Sequence, residues 1–267
     1  MHLGRDRVIA ANEADGFIID PGPASCLDTL LSAVDGEPRG LLLTHIHLDH
    51  AGASGALVRR FPKLRVWVHS VGAPHLVDPT KLLESAGRLY GDDLERLWGE
   101  VAPVPPESIV ALEGGEEVEG FRVAHAPGHA THHVCYLRES SGDAFVGDVA
   151  GVRIPPERYT LMPTPPPDID LEAWERSLDL VAGWQPVRLR LTHFGSAEAA
   201  EAQLERARAE LRWMADLAQQ GDRQAFLRTL DAQIDSEAGG ELGARFRQAA
   251  PADQLWLGLE RYWRKRA

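Results

Sequence analysis

The stretch Thr44-His45-Ile46-His47-Leu48-Asp49-His50 gathers three imidazoles and a carboxylate within six positions, straight after the apolar run Leu41-Leu42-Leu43 and before Ala51-Gly52-Ala53-Ser54-Gly55. Neutral imidazole and carboxylate are the ligands that borderline divalent metals prefer. His45 and His47 alternate about Ile46, so in extended backbone they point the same way and can clamp one ion from one side. Asp49 and His50 come after the chain has begun to turn and cannot easily reach that ion, which implies a second. A histidine-rich surface loop that binds metal by accident would stop there; a working site needs ligands from elsewhere.

Three later positions have the right chemistry, and each sits where a strand is expected to end. His129 lies in the tight turn Ala126-Pro127-Gly128-His129-Ala130, Asp148 follows Phe145-Val146-Gly147, and His193 follows Leu189-Arg190-Leu191-Thr192. At Gly147 the missing side chain lets backbone approach closely. Strand-end loops held by a sheet are where catalytic groups collect. A lone histidine after a strand is more often a satisfied structural residue, but three such loops together with the opening stretch argue against that.

The elements that must position these groups read as follows. Phe17-Ile18-Ile19 is a short buried strand stopped by Asp20-Pro21-Gly22-Pro23. Ser25 and Asp28 make a capping-box-like start, and Leu27, Leu30, Leu31 and Val34 recur at helical spacing up to Gly36. Leu41 to Leu43 is a strand, a helix runs through Leu57 and Val58 to Phe61-Pro62, and Leu64 to Val68 is the next strand. Pro79 to Trp98 reads as helix with Gly91 a break. Short strands follow over Ser108 to Leu112, Val118 to His125, His133 to Arg138 and Ala144 to Gly147. The proline-rich Met162 to Pro167 can be neither helix nor central strand, and is a candidate pocket wall or equally a plain surface loop. Leu171 to Val181 returns to helix, and Val187, Leu189 and Leu191 alternate with arginines as a strand with one buried face. From Ala197 the chain reads as helices over 197–220, 222–234 and a last one through Trp256, Leu259, Tyr262 and Trp263.

The 267 residues suffice for one large domain with a well-buried core, or for one domain plus an appendage, and 40 acidic against 28 basic residues give a formal charge of −12. So acidic a surface repels phosphate backbones, and nucleic acid is a disfavoured partner. The two cysteines, Cys26 and Cys135, are too few for a disulfide framework and are expected as buried thiols. No stretch reaches the ~18 apolar residues of a membrane span and the N-terminus has no leader-like apolar region, so no membrane and a cytoplasmic location are expected.

The H-x-H-x-D-H stretch, the Pro127-Gly128-His129 turn, the Gly147-Asp148 pair and the final Thr192-His193 together resemble the metallo-beta-lactamase superfamily, in the expected order from about Phe17 to Gly195. The resemblance implies an α/β (α+β) fold, a four-layer αββα sandwich with a two-metal site at one edge where the halves meet. Residues 1–196 would form the catalytic domain and 197–267 a C-terminal helical extension packed on it. By position, His45, His47 and His129 would hold the first ion, Asp49, His50 and His193 the second, and Asp148 would bridge them, with Asp49 and Asp148 the catalytic carboxylates. His133 matches a family position that supports the site from behind the ligands, or is a core histidine. His132 stands where relatives often have glycine. His69 and His125 read as structural, His75 as a candidate for the pocket rim, and Tyr159 as a candidate oxyanion donor.

Two divalent ions about 3.5–4 Å apart with a shared carboxylate can hold a hydroxide and polarise a carbonyl or phosphoryl oxygen. The expectation is therefore a dinuclear hydrolase of a small-molecule ester, thioester, lactone or phosphodiester. Zinc is the expected metal, with iron and manganese compatible. The commonest drug-hydrolysing beta-lactamases have a cysteine ligand where this chain has Asp148; the ligand set here is similar to that of glyoxalase II thioesterases, lactonases and phosphodiesterases. The rivals are a mononuclear iron oxygenase of the same superfamily acting on persulfide sulfur, and a non-catalytic metal-binding protein. A glutathione thioesterase would need basic residues from the tail near its pocket, where Arg261, Arg264, Lys265 and Arg266 are the candidates. The tail itself reads as a structural cap, a substrate lid or a homodimer contact.

Overall fold

The computed structural model describes residues 2–266. The first half of the chain begins with β1 (Asn12–Ala14), β2 (Phe17–Ile19), α1 (Leu27–Ala33), β3 (Gly40–Leu42), α2 (Leu48–Ala51), α3 (Ser54–Arg60) and β4 (Val66–His69). It continues through α4 (Ala73–Val77), α5 (Thr80–Tyr90) and α6 (Leu94–Trp98) to β5 (Ile109–Leu112). These strands form one sheet in the order β1-β2-β3-β4-β5. β1 and β2 are an antiparallel hairpin, and β2 to β5 run parallel. Helical crossovers are what parallel neighbours require, and α1, α3 and the α4 to α6 run supply them.

The second half holds β6 (Glu117–Val118), β7 (Phe121–His125), β8 (Val134–Arg138), β9 (Asp143–Gly147), α7 (Leu171–Gly183), β10 (Arg188–Leu191) and β11 (Gly195–Ala197). They make a second sheet in the order β11-β10-β9-β8-β7-β6, parallel only between β9 and β10. Four helices follow: α8 (Ala200–Gln219), α9 (Arg223–Glu237), α10 (Gly240–Ala249) and α11 (Ala252–Arg264).

Side-chain alternation along the strands builds the layers. Phe17, Ile19, Leu42 and Trp67 of the first sheet meet Phe121, Val123, Tyr136 and Phe145 of the second in a core between the sheets. Ile18, Leu41, Val66 and Val68 face the other way, against Leu57 and Val58 of α3. The outer face of the second sheet, with Val146, Leu189 and Leu191, packs on Trp174 and Leu178 of α7 and on Leu204, Leu211, Phe226, Phe246 and Leu255 of the last four helices. The expected four-layer αββα arrangement with C-terminal helices is thus present.

Four local expectations need correction. The stretch Val118 to His125 is two strands, because Glu119 and Gly120, both at positive φ, make the two-residue turn of a hairpin that pairs Val118 with Phe121. Val187 is 62% exposed: the ladder with β9 begins only at Arg188, paired with Asp143, so Val187 lies outside the buried face. α1 begins at Leu27 behind a 3-10 turn, no side chain caps its first turn, and Cys26 on that turn is half-buried, whereas Cys135 is fully buried. The tail has one helix more than expected, since Ala250-Pro251 separates α10 from α11, and Gly195–Ala197 is a strand. Among the described residues no helix is long and apolar enough to cross a membrane.

Candidate metal centre

The site grows from the C-terminal ends of β2, β3, β9 and β10, which the two sheets bring to one edge. Asp20, directly after β2, is fully buried and ties three of these ends together. Its Oδ1 accepts the Thr44 N–H at 2.8 Å, and its Oδ2 accepts the hydroxyls of Thr44 and Thr192 at 2.7 and 2.9 Å. The same Oδ2 lies 2.9 Å from His50 Nδ1, which leaves His50 Nε2 to face inward. Sequence reasoning took Asp20 only as part of a turn. The signal that could have found it is a carboxylate at the end of a fully apolar strand, where burial demands partners.

Backbone carbonyls orient two other rings in the same way. His129 donates from Nδ1 to the Pro163 carbonyl at 2.8 Å and His193 from Nδ1 to the Val8 carbonyl at 2.7 Å, which turns both Nε2 atoms into the site. Such outer partners fix the tautomer a metal requires. Gly147 is needed for the approach of β9: it has φ +48°, and a Cβ there would lie 2.5 Å from Thr44 Oγ1 and 2.6 Å from His133 Nε2. Gly128 is as constrained, since its Cβ would fall 2.4 Å from the Trp174 backbone. The Trp174 ring in turn stands edge-on to His129, with its Nε1 donating to the Val149 carbonyl.

All seven expected ligands come together. His47 Nδ1 lies 3.0 Å from His45 Nε2 and 2.9 Å from His129 Nε2. Asp148 stands between the two groups of side chains, with Oδ2 3.3 Å from His129 Nε2 and Oδ1 3.3 and 3.7 Å from the Nε2 atoms of His50 and His193. Asp49 Oδ2 is 3.2 Å from His193 Nε2 and 3.9 Å from His50 Nε2. Three triads, His45/His47/His129, His45/His50/Asp148 and Asp49/His50/His193, each have ligand atoms within 4.8 Å of one another.

The donor set fits divalent ions. His50 Nε2 and Asp148 Oδ1 are buried with no hydrogen-bond partner, a costly state for polar atoms unless something else satisfies them. Burial, followed by the neighbouring imidazoles, holds His45 and His47 well below the ordinary histidine range, so both are neutral with lone pairs available. For Asp148, burial works against the carboxylate, but His50, His129 and His193 outweigh it and keep it ionised. Asp49 is held low in the same sense by His50 and His193.

Of the other histidines, His133 is fully buried and its Nε2 accepts the Asp148 N–H at 3.3 Å, so it sits behind the site. His132 and His75 both line the cavity above it. His69 and His125 stack on each other, with ring centroids 4.4 Å apart. Tyr159 is not at the site: it packs against Phe246 under the tail, 5.1 Å between centroids, and the phenol that faces the cavity is Tyr90.

That cavity, about 560 Å³, opens directly over His47, Asp49, His129 and Asp148. Pro163, Pro165, Pro166 and Pro167 form part of its wall, as the stiff loop suggested, and α5, α6 and the α10 to α11 junction supply the rest. The tail's basic residues do not reach it. Arg261 donates to the Pro167 carbonyl from outside, Arg264 to Glu260 and Arg266 to Glu172.

A family model for the metallo-beta-lactamase superfamily matches residues 8–193. The hydroxyacylglutathione hydrolase of a Synechococcus species is 29% identical over 139 residues, 51% of this chain and 44% of that protein. One from Haemophilus influenzae is 30% identical over 139 residues, 52% of this chain and 62% of that protein. The chain therefore spans less than two thirds of the length of either relative. Among solved structures, an archaeal metallo-beta-lactamase superfamily protein from Sulfolobus tokodaii has a TM-score of 0.68 at 26% identity, covering 91% of this chain and 87% of its own. A metallo-beta-lactamase family protein from Thermus thermophilus, at 21% identity and TM-score 0.62 over 96% of this chain and 87% of its own, shares the fold.

Proposed function

Since the chain belongs to the metallo-beta-lactamase superfamily, we propose that it is a metal-dependent hydrolase of a small carbonyl ester or thioester, its catalytic fold spanning residues 1–196 and the helical extension 197–267. The observation that carries this reading is the position of Asp148 between the His45/His47/His129 group and the Asp49/His50/His193 group, at the floor of an open cavity. His45, His47 and His129 would hold one divalent ion, Asp49, His50 and His193 the other, and Asp148 both. Zinc is the first choice for such nitrogen and oxygen donors, with iron and manganese compatible. When bound, a pair of such ions lowers the pKa of a water toward neutrality and draws charge from the scissile carbonyl.

The chain's own groups do the rest. Asp20, Pro163 and Val8 fix the tautomers of His50, His129 and His193, so no rotation is needed as the reaction proceeds. Asp49 is the more accessible carboxylate, its side chain 22% exposed against 4% for Asp148, and it is placed to take a proton from the attacking water. Water's oxygen joins the carbonyl carbon, the bond to the leaving oxygen or sulfur breaks, and that atom departs with the proton Asp49 received.

Protein purified without chelator should carry two ions per chain and hydrolyse members of an ester and thioester panel. One iron per chain, with oxygen consumed on a persulfide, would replace this reading with the oxygenase. Asp148→Ala should lower turnover by about 10²-fold or more while the melting temperature moves by only a few degrees; equal loss of both would make the aspartate structural.

A further inference from the structure

The walls of the cavity come from stretches far apart in the sequence, and beside polar groups they contribute a continuous apolar surface. α5 presents Leu82, Ala86 and Leu89 on one face: Ala86 is buried, Leu82 is partly buried against the same cluster, and all three line the cavity, Leu89 without belonging to a core cluster. Leu97 and Trp98 of α6 and Leu255 of α11 continue the same surface. An amphipathic helix is ordinarily closed over by the core; here part of the matching surface is open space of about 560 Å³, in the range that holds a small organic molecule.

Some polar groups within this space are already engaged, whereas His132 Nδ1 and Trp98 Nε1 are buried without a hydrogen-bond partner. His2 accepts from Gln248 at Nδ1 and donates from Nε2 to the Leu97 carbonyl, each at 3.0 Å. Tyr90 Oη donates to Gln254 across the cavity at 3.4 Å. Lys81 and Arg96 are exposed, and Arg96 is bonded to Asp93 at 2.9 Å. The tail's cations point elsewhere. Lys81 and Arg96 both line the cavity.

Resting on the hydrolase reading, we propose that this cavity takes a straight apolar acyl chain, and that the substrate is an ester or thioester of a medium-chain fatty acid. The chain lies along Leu82, Leu89 and Leu97 with its carbonyl at the floor beside Asp49 and Asp148. Hydrolysis releases the fatty acid and the alcohol or thiol.

The test is a series of N-acetylcysteamine thioesters from acetyl to decanoyl, with S-lactoylglutathione beside them. Burial of each methylene should raise kcat/KM about fourfold until the cavity is filled. A flat series, or S-lactoylglutathione cleaved as well as the octanoyl thioester, overturns the proposal. Ala86→Phe, or Leu89→Gln where the first does not fold, should lower the octanoyl-to-acetyl ratio of kcat/KM about tenfold; an unchanged ratio overturns it too. Should no thioester be cleaved at all, the hydrolase reading fails, and calorimetry of the same protein with N-methyloctanamide against N-methylacetamide still decides about the cavity. Tighter binding of the octanamide supports an acyl site, and equal or absent binding removes it.

Discussion

Asp20 touches no substrate, yet it is the residue on which the orientation of His50 depends. Three hydrogen-bond donors and the His50 ring converge on its carboxylate. Asp20→Asn keeps the shape but puts an amide where acceptors are needed, so metal retention against a chelator should weaken about 10- to 100-fold; unchanged retention would mean that packing alone sets the ring. Glu210 makes the opposite case, a carboxyl the fold holds at a cost. Burial, with Glu237 nearby, pushes its pKa up to about 7, only partly opposed by the hydrogen bond from Gln233 and the neighbouring Tyr159 hydroxyl. An unfolded glutamate titrates near ~4.3, and below that pH both states are protonated and nothing is lost. As pH rises from there to about 7 the unfolded chain gives up the proton first, so stability falls, and above 7 the penalty is complete. Glu210→Gln should therefore stabilise the protein by about 1–3 kcal/mol at pH 8 and leave it unchanged at pH 4, read from melting curves at the two pH values.

Among the elements, the parallel pair β9 and β10 carries the second half of the site, since Asp148 follows one strand and His193 the other. Their far ends are pinned by Asp143, which accepts Arg188 Nε at 2.7 Å and Arg190 Nη2 at 3.2 Å. Burial works against this carboxylate, but the two arginines outweigh it and hold its pKa below the usual range. The stabilisation is present above the unfolded value near ~3.9 and is lost as pH falls through the lowered folded one. Asp143→Asn should cost about 1–3 kcal/mol at pH 7, with the gap to the parent closing toward pH 3 in denaturant titrations; a gap that persists in acid would mean that the pair is not the cause. The strand pattern around it was readable because Leu189 and Leu191 alternate with arginines. Val187 fits the same alternation but lies before the first ladder pair, and alternation does not say where pairing begins.

At the scale of the whole molecule, the helical tail is part of the main core. Phe226, Leu230, Ile234, Phe246 and Leu259 are fully buried in the cluster that covers the outer face of the second sheet. The α10 to α11 junction also closes one side of the cavity. A chain ending at Ser196 should lose its cooperative melting transition and bind a dye for exposed apolar surface; a truncated protein that still melts cooperatively would make the extension a separate unit. The metal-ligand candidates could be read from the chain alone, because ligand chemistry and strand ends are local properties: a histidine or aspartate after an apolar run announces itself within a few residues, whereas the layered fold followed from the family resemblance those residues carry. The role of Asp20 and the helical side of the cavity wall could not. Thr192 lies 172 positions from the carboxylate it shares with Thr44, and Leu89 of α5 looks like ordinary core until the fold leaves it lining a cavity. Local pattern tells which side chains must be buried or can bind; only the packing of sheets and helices decides what each of them meets.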